Sequence, residues 1–413
     1  MNRSRVALPS FRLSAVALAV AAASVLAGAS PLASAEPAQD AAERIANERA
    51  RILEQYLIGP DAAAALGCEI AWQTAVPLQD GGALRLVESS PEAVLVLDNI
   101  NEATHLRADT GGRVWTASAA DPIDRVLGMG VYMHNPGAES DAKRIAVLTD
   151  AVYYALGFDS GATVARSRFR HVPNTPPVQY GGSFIFGSSS GQVTWFNSAT
   201  GNDSRGALVD AFRDASPIEA TPSVRNGIVF AGSMGGGIAS LDADSGRLLW
   251  NRRLLGPVSA SPAIANGTGF VASDDQYLYA FDVVTGDPLW RYFTQTPLKT
   301  SPFPAGDLVL QDVPGEGLIA LSQRPEAQPG GEVRWRRASV HGRPIGMLGG
   351  DVVFWCPKGR MVTIISLSDG QTVKTVELPL VEHLTVDTIE SGGFVAWSKD
   401  GRVERLSPKS AGK

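Results

Sequence analysis

Apolar runs of four to seven residues, rich in Val, Ile, Phe and Leu and broken by Gly, Asn, Asp and Ser, recur along most of this 413-residue chain. Runs of that length between turn-forming residues predict short strands joined by tight turns. From about residue 69 onward no stretch sustains a helical period over three turns, so the pattern excludes a mixed α/β domain. The runs also repeat. Asn226-Gly227-Ile228-Val229-Phe230-Ala231-Gly232-Ser233 answers to Asn266-Gly267-Thr268-Gly269-Phe270-Val271-Ala272-Ser273, and Ser240 to Trp250 answers to Ala280 to Trp290. The starts Ala220-Thr221-Pro222, Ala260-Ser261-Pro262 and Thr300-Ser301-Pro302 keep the same spacing of forty. A fixed period of about 20–50 residues marks a repeat architecture, in which neighbouring copies complete one another's core.

Each copy reads as four antiparallel strands. Asp242-Ala243-Asp244-Ser245-Gly246 and Asp282-Val283-Val284-Thr285-Gly286 predict the hairpin between the third and fourth strands, with the Asp side chain bonding the turn backbone and Gly taking a positive φ. Trp250 and Trp290 then fall on the fourth strand, where a large flat ring fills the gap to the adjacent sheet. Such sheets bury both faces only when arranged radially, which predicts an all-β, eight-bladed β-propeller, with seven blades the second choice. Weaker copies carry Trp115, Asp159-Ser160-Gly161, Asn197 to Gly201, Trp335 and Asp369-Gly370. The units run at about 82–117, 123–168, 174–213, 218–253, 258–293, 298–337 and 342–378. Residues 383–406 supply three strands without a fourth, while Glu69 to Thr74, with Trp72, supplies a fourth strand alone. Pairing the two closes the ring and removes open sheet edges.

These motifs resemble the pyrroloquinoline-quinone-like (PQQ-like) propeller repeat family over residues 69–406, on the residues His105 to Trp115, Ser240 to Trp250 and Ala280 to Trp290 and on the starts at Pro222, Pro262 and Pro302. The family contains both quinone-dependent dehydrogenases and non-catalytic scaffolds, so the resemblance implies the fold and leaves two activities open.

The amino terminus has Arg3, Arg5 and Arg12 ahead of an apolar stretch from Leu13 to Ala29, with Ala33-Ser34-Ala35 at the end, which predicts an export signal over 1–35 cleaved after Ala35. Residues 36–66 read as a helical segment and linker, 67–407 as the propeller and 408–413 as a tail. Within that linker, Ile45, Ile52, Leu53, Tyr56 and Leu57 follow a helical period over 40–57, stopped by Gly59-Pro60. Loss of the signal removes three Arg and no acidic residue, taking the formal charge from −6 to −9. An acidic balance excludes nucleic acid as a partner. No Cys near residue 35 offers a lipid anchor and no further segment suits a membrane span, so the reading is a periplasmic or secreted monomer.

Cys68 and Cys356 allow one disulfide, or two separate thiols. His105, His134, His171, His341 and His383 are scattered without metal-ligand spacing, and Gly-x-Ser-x-Gly is absent. Asp242, Asp244, Asp274, Asp275 and Asp282 form the densest carboxylate group, but Asp242 and Asp282 occupy equivalent turns, as a structural role requires. Basic and aromatic residues alternate at Trp250 to Arg253, Trp290 to Tyr292 and Arg334 to Arg337, which suits outermost strands that must avoid pairing with other chains. No catalytic residue, metal ligand or cofactor is therefore assigned. The resemblance implies a non-catalytic scaffold holding protein partners of the cell envelope, similar to the propeller subunit of the outer-membrane barrel-assembly machinery. Its alternatives are a quinone-dependent oxidoreductase, disfavoured because the vicinal cysteines of those enzymes are missing, and a polysaccharide-binding propeller.

Overall fold

The computed structural model describes residues 51, 54–134, 143–210, 215–325, 330–338, 340, 342–389 and 391–409. The chain divides into a unit Met1–Arg49, which lies outside the described residues, and a unit Ala50–Lys413. The expected signal 1–35 and most of the expected helix 40–57 fall outside the described residues.

Eight four-stranded antiparallel sheets make up the second unit. Blades 1 to 7 occupy residues 84–118, 126–168, 178–208, 223–253, 263–293, 303–337 and 343–377, each with its strands in sequence order. Blade 8 has the order Cys68–Ala75, Arg402–Pro408, Phe394–Trp397, His383–Val386, so its fourth strand comes from the other end of the chain. Cys68 pairs with Pro408 and Ala75 with Arg402. The expected closure near Trp72 is thus present in the structure.

First strands of neighbouring blades touch, as 223–225 does 263–265, and line the centre of the ring. Fourth strands face outward: Thr163–Arg168 is almost wholly exposed. The core lies in the wedges between blades. Phe230, Ile238, Val258 and Val271 join blades 4 and 5, and Phe270, Leu278, Leu298 and Val309 join 5 and 6. Each fully buried side chain of this kind contributes about 1.5–3 kcal/mol, which explains why a blade of alternating strands needs its neighbours. Because all four strands antiparallel each other, the connectors between blades and the second-to-third-strand turns share one face of the ring. The Asp-containing hairpins share the other.

The described residues 51, 54 and 55 are helical and that helix has ended by Tyr56, ahead of Gly59-Pro60. Pro60 then opens a second, short helix, Pro60–Ala65, with Pro at its first turn, where its missing N–H leaves no bond unmade. Leu57, Ile58, Ala63 and Leu66 of this segment sink into the wedge between blades 7 and 8, against Trp355, Val362, Leu378 and Phe394. Glu404, fully buried on the third strand of blade 8, accepts the Leu57 and Ile58 N–H groups at 3.1 and 3.0 Å.

Candidate partner-binding surface and the contacts that hold it

The predicted repeat residues form one contact copied around the ring. The indole N–H of Trp72 donates to Ala108 O in blade 1 at 3.0 Å, Trp115 to Phe158 O at 2.7 Å, and Trp250, Trp290 and Trp335 to Val283, Gln323 and Leu367 O, each at 2.9 Å. Each ring lies on the turn glycine of the next blade. A Cβ added at Gly286 would stand 2.6 Å from the Trp250 ring, at Gly111 2.5 Å from Trp72, and at Gly370 2.6 Å from Trp335. A β-bulge in the pairing of third and fourth strands precedes each Trp position; it falls between Ser240 and Leu241 in blade 4 and between Ala280 and Phe281 in blade 5. The bulge twists the outer strand and aims the indole at its neighbour.

The turn acids are occupied by their own hairpins. Asp242 Oδ1 accepts the Ser245 N–H and hydroxyl at 2.7 and 2.6 Å, and Asp282 Oδ1 accepts the Val284 and Thr285 N–H groups at 2.9 Å. These bonds favour the ionised form and hold both carboxyls below the usual range. Gly246 meets Arg205 rather than a Trp, because blade 3 has Arg at that place and sends Trp195 from its third strand to Ala243 O instead. The arginines of the basic-aromatic runs are also structural: Arg252 Nε donates to Gly286 O at 2.5 Å and Arg337 Nε to Gly370 O at 3.2 Å.

No bridge joins Cys68 and Cys356. Cys68 is buried with its sulfur 3.5 Å from Gly392 O in blade 8, whereas Cys356 ends the second strand of blade 7, half-buried beside Gly359. Among the histidines, His105 is buried with Nδ1 3.1 Å from Phe158 O, His171 pairs with Asp203 at 3.0 Å, and His383 stacks on Trp397. His341 lies outside the described residues. Burial lowers the pKa of His105 and His383. Among the described residues no three His, Cys, Asp or Glu converge as a metal site would require.

The connector face is different in character. Leu255 between blades 4 and 5 is 95 % exposed, Ile123 between blades 1 and 2 is 94 % exposed, and Val172 between blades 2 and 3 is half-exposed. Apolar side chains held out on short connectors gain nothing for the fold. The strand pattern gives no hint of them, since loop residues follow no period; their only sequence signal is an isolated large apolar residue between a fourth strand and the next first strand.

Residues 206–411 match the family model described as outer membrane protein assembly factor BamB. The crystal structure of BamB from Moraxella catarrhalis superposes with a TM-score of 0.58 at 19 % identity, covering 83 % of this chain and 99 % of that one. The computationally designed Ika8 protein superposes with a TM-score of 0.59 at 14 % identity, over 81 % of this chain and 98 % of its own. No curated protein matches the sequence. With the repeat, the closure and the inter-blade tryptophans in place, the chain is similar to the PQQ-like β-propeller family and, within it, to BamB.

Proposed function

We propose that this protein is an exported, non-catalytic scaffold that holds partner proteins in the cell envelope, in outer-membrane protein assembly. The observation that carries the reading is the connector face, where Leu255 and Ile123 stand almost fully in solvent on a rigid ring. The family match supports a role of this kind, and the repeat acids and arginines are taken up by inter-blade and turn bonds. Export through the signal at 1–35, cleavage after Ala35 and action as a monomer belong to the same proposal.

Mild crosslinking in cells followed by purification tests it. Recovery of barrel-assembly components is expected with the native chain and is expected to fall in a Leu255→Asp, Ile123→Asp protein. Both sites are exposed, so stability should shift by no more than about 0.5 kcal/mol each. Equal recovery from native and variant chains would refute the assigned face. Reconstitution with the quinone and Ca²⁺ should give no dye-linked alcohol or sugar oxidation; turnover abolished by chelator would overturn the non-catalytic reading.

A further inference from the structure

Blades 2, 5 and 6 carry an arginine directly after the Trp place of the outer strand: Arg166, Arg291 and Arg336. Two of them meet a group brought from the preceding blade. Arg166 Nη2 donates to Asp121 Oδ2 at 2.8 Å, a carboxylate standing on the connector between blades 1 and 2. Arg336 Nη2 donates to the Tyr292 hydroxyl of blade 5 at 2.6 Å. Arg291 has neither kind of partner. Asp121 is the third residue after its outer strand, and the third after Arg253 is Gly256; Tyr292 is the second residue after Trp290, and the second after Trp250 is another cation, Arg252. Arg291 is exposed, with its guanidinium carbon 5.0 Å from the centre of the Tyr277 ring, and no hydrogen bond or ion pair among the described residues takes up its N–H groups. Arg252, also exposed, reaches across the wedge with Nε on Gly286 O, which leaves its two terminal nitrogens for another acceptor.

The two arginines border a groove of 480 Å³ between the outer strands of blades 4 and 5, lined also by Leu255, Tyr279, Phe281 and Leu289. No acidic residue lines it. Of the charged groups close by, Asp275 accepts the Tyr279 hydroxyl at 2.9 Å and the Leu255 N–H at 3.3 Å, Asp287 accepts the Thr285 hydroxyl at 2.8 Å, and Arg253 pairs with Asp210 at 3.3 Å. Two guanidinium groups on facing walls repel one another and complement a carboxylate, which arginine binds through paired N–H groups. The chain has a formal charge of −6, so an acidic segment is repelled by the molecule at large and attracted here. Pro288–Phe293 ends its sheet, and its free edge offers backbone N–H and C=O groups to an extended chain. We infer that this groove docks an extended acidic segment of a partner protein, whose carboxylate stands to Arg291 and Arg252 as Asp121 stands to Arg166. Residues two apart lie on one side of an extended chain, so an apolar side chain two positions from the acid lies along Leu255 and Leu289. The inference rests on the scaffold reading and deepens it by giving the partner's chemistry at the rim of blades 4 and 5.

The probe is a fluorescent, carboxy-amidated peptide copying residues 117–123, Ala-Ser-Ala-Ala-Asp-Pro-Ile, titrated onto the full chain and followed by polarisation. Its Asp is the one that Arg166 holds in the native chain, and its Ile lies two positions on. Saturable binding is expected, weakened by about tenfold or more when the peptide Asp is replaced by Asn or when the protein carries Arg291→Gln. Arg291 is exposed, so that variant should keep its melting temperature. No binding, equal binding of the Asn peptide, or equal binding to Arg291→Gln overturns the inference. So does adsorption to phosphatidylglycerol vesicles that Arg291→Gln abolishes in a chain that ignores the peptide, which would assign the arginines to lipid headgroups. A dimer in sedimentation that Arg291→Gln dissociates overturns it as well, by assigning the groove to a second copy. No barrel-assembly component enters this experiment, so its failure would leave the crosslinking result on the connector face standing.

Discussion

At the residue scale the ring is held by a small, directional contact: an indole N–H on a neighbouring carbonyl and an indole face on a neighbouring glycine. Trp290 is 3 % exposed, so Trp290→Ala should cost about 3–5 kcal/mol by denaturant melt. A melting curve that does not move would remove blade packing as its role. Trp250 is only half-buried, and Trp250→Ala should cost less. Gly286 carries two demands at once: its φ is +79°, and a Cβ would strike the Trp250 ring. Gly286→Ala should therefore cost more than Gly181→Ala, where φ is +56° but no atom lies within 4 Å of the added Cβ, so that only the backbone penalty of about 1–2 kcal/mol remains. Combining Gly286→Ala with Trp250→Ala should be less damaging than the sum, because the second change removes what the first collides with. Additivity within about 0.5 kcal/mol would mean that the two residues do not meet.

At the element scale the strands were legible in the sequence, because the Asp-to-Gly turn and the Trp recur together and each has a local cause. Blades 2, 3 and 7 were fainter since Ala165, Arg205 and Lys374 stand at the Trp place, pairing with Ala155, Trp195 and Ile364. The second helix, Pro60–Ala65, was not legible, because six residues are too few to show a period, and only the burial of Leu57, Ile58 and Leu66 reveals that the segment docks. The docked segment has a pH signature. Glu404 loses its water, which pushes its carboxyl up to about 7 despite the Ile58 and Leu57 N–H bonds that oppose the shift. The folded chain then binds an extra proton between the model value of 4.5 and about 7, so this contribution is complete below pH 4.5 and lost as pH rises through 7. It should amount to something on the order of 1–3 kcal/mol. Glu404→Gln should flatten part of the fall in stability between pH 5 and 8, and an unchanged slope would show that Glu404 is ionised throughout.

For the whole molecule, closure makes stability a property of the ring rather than of any blade. A linear row of sheets would expose two faces and two edges, and each blade here contacts only its neighbours, so loss of one seam is felt on both sides. The seam of this chain lies inside blade 8, where Cys68–Ala75 pairs with Arg402–Pro408 and Trp72 docks onto blade 1. Two truncations separate the strand from the segment that precedes it. A chain beginning at residue 67 keeps the strand but loses Leu57, Ile58, Ala63 and Leu66, which opens the wedge between blades 7 and 8 and leaves the Glu404 carboxylate without the N–H groups it accepts. It should melt earlier, still in one transition, with the pH dependence of Glu404 altered. A chain beginning at residue 81 also loses Trp72 and the fourth strand, exposing the edge of Arg402–Pro408 and the Gly111 turn together. It should lose cooperativity, with blades 8 and 1 exchanging amide hydrogens first and blades 4 and 5 last. If the two truncated chains melt alike, the strand adds nothing beyond the docked segment, and the ring is held at its seam by the wedge alone.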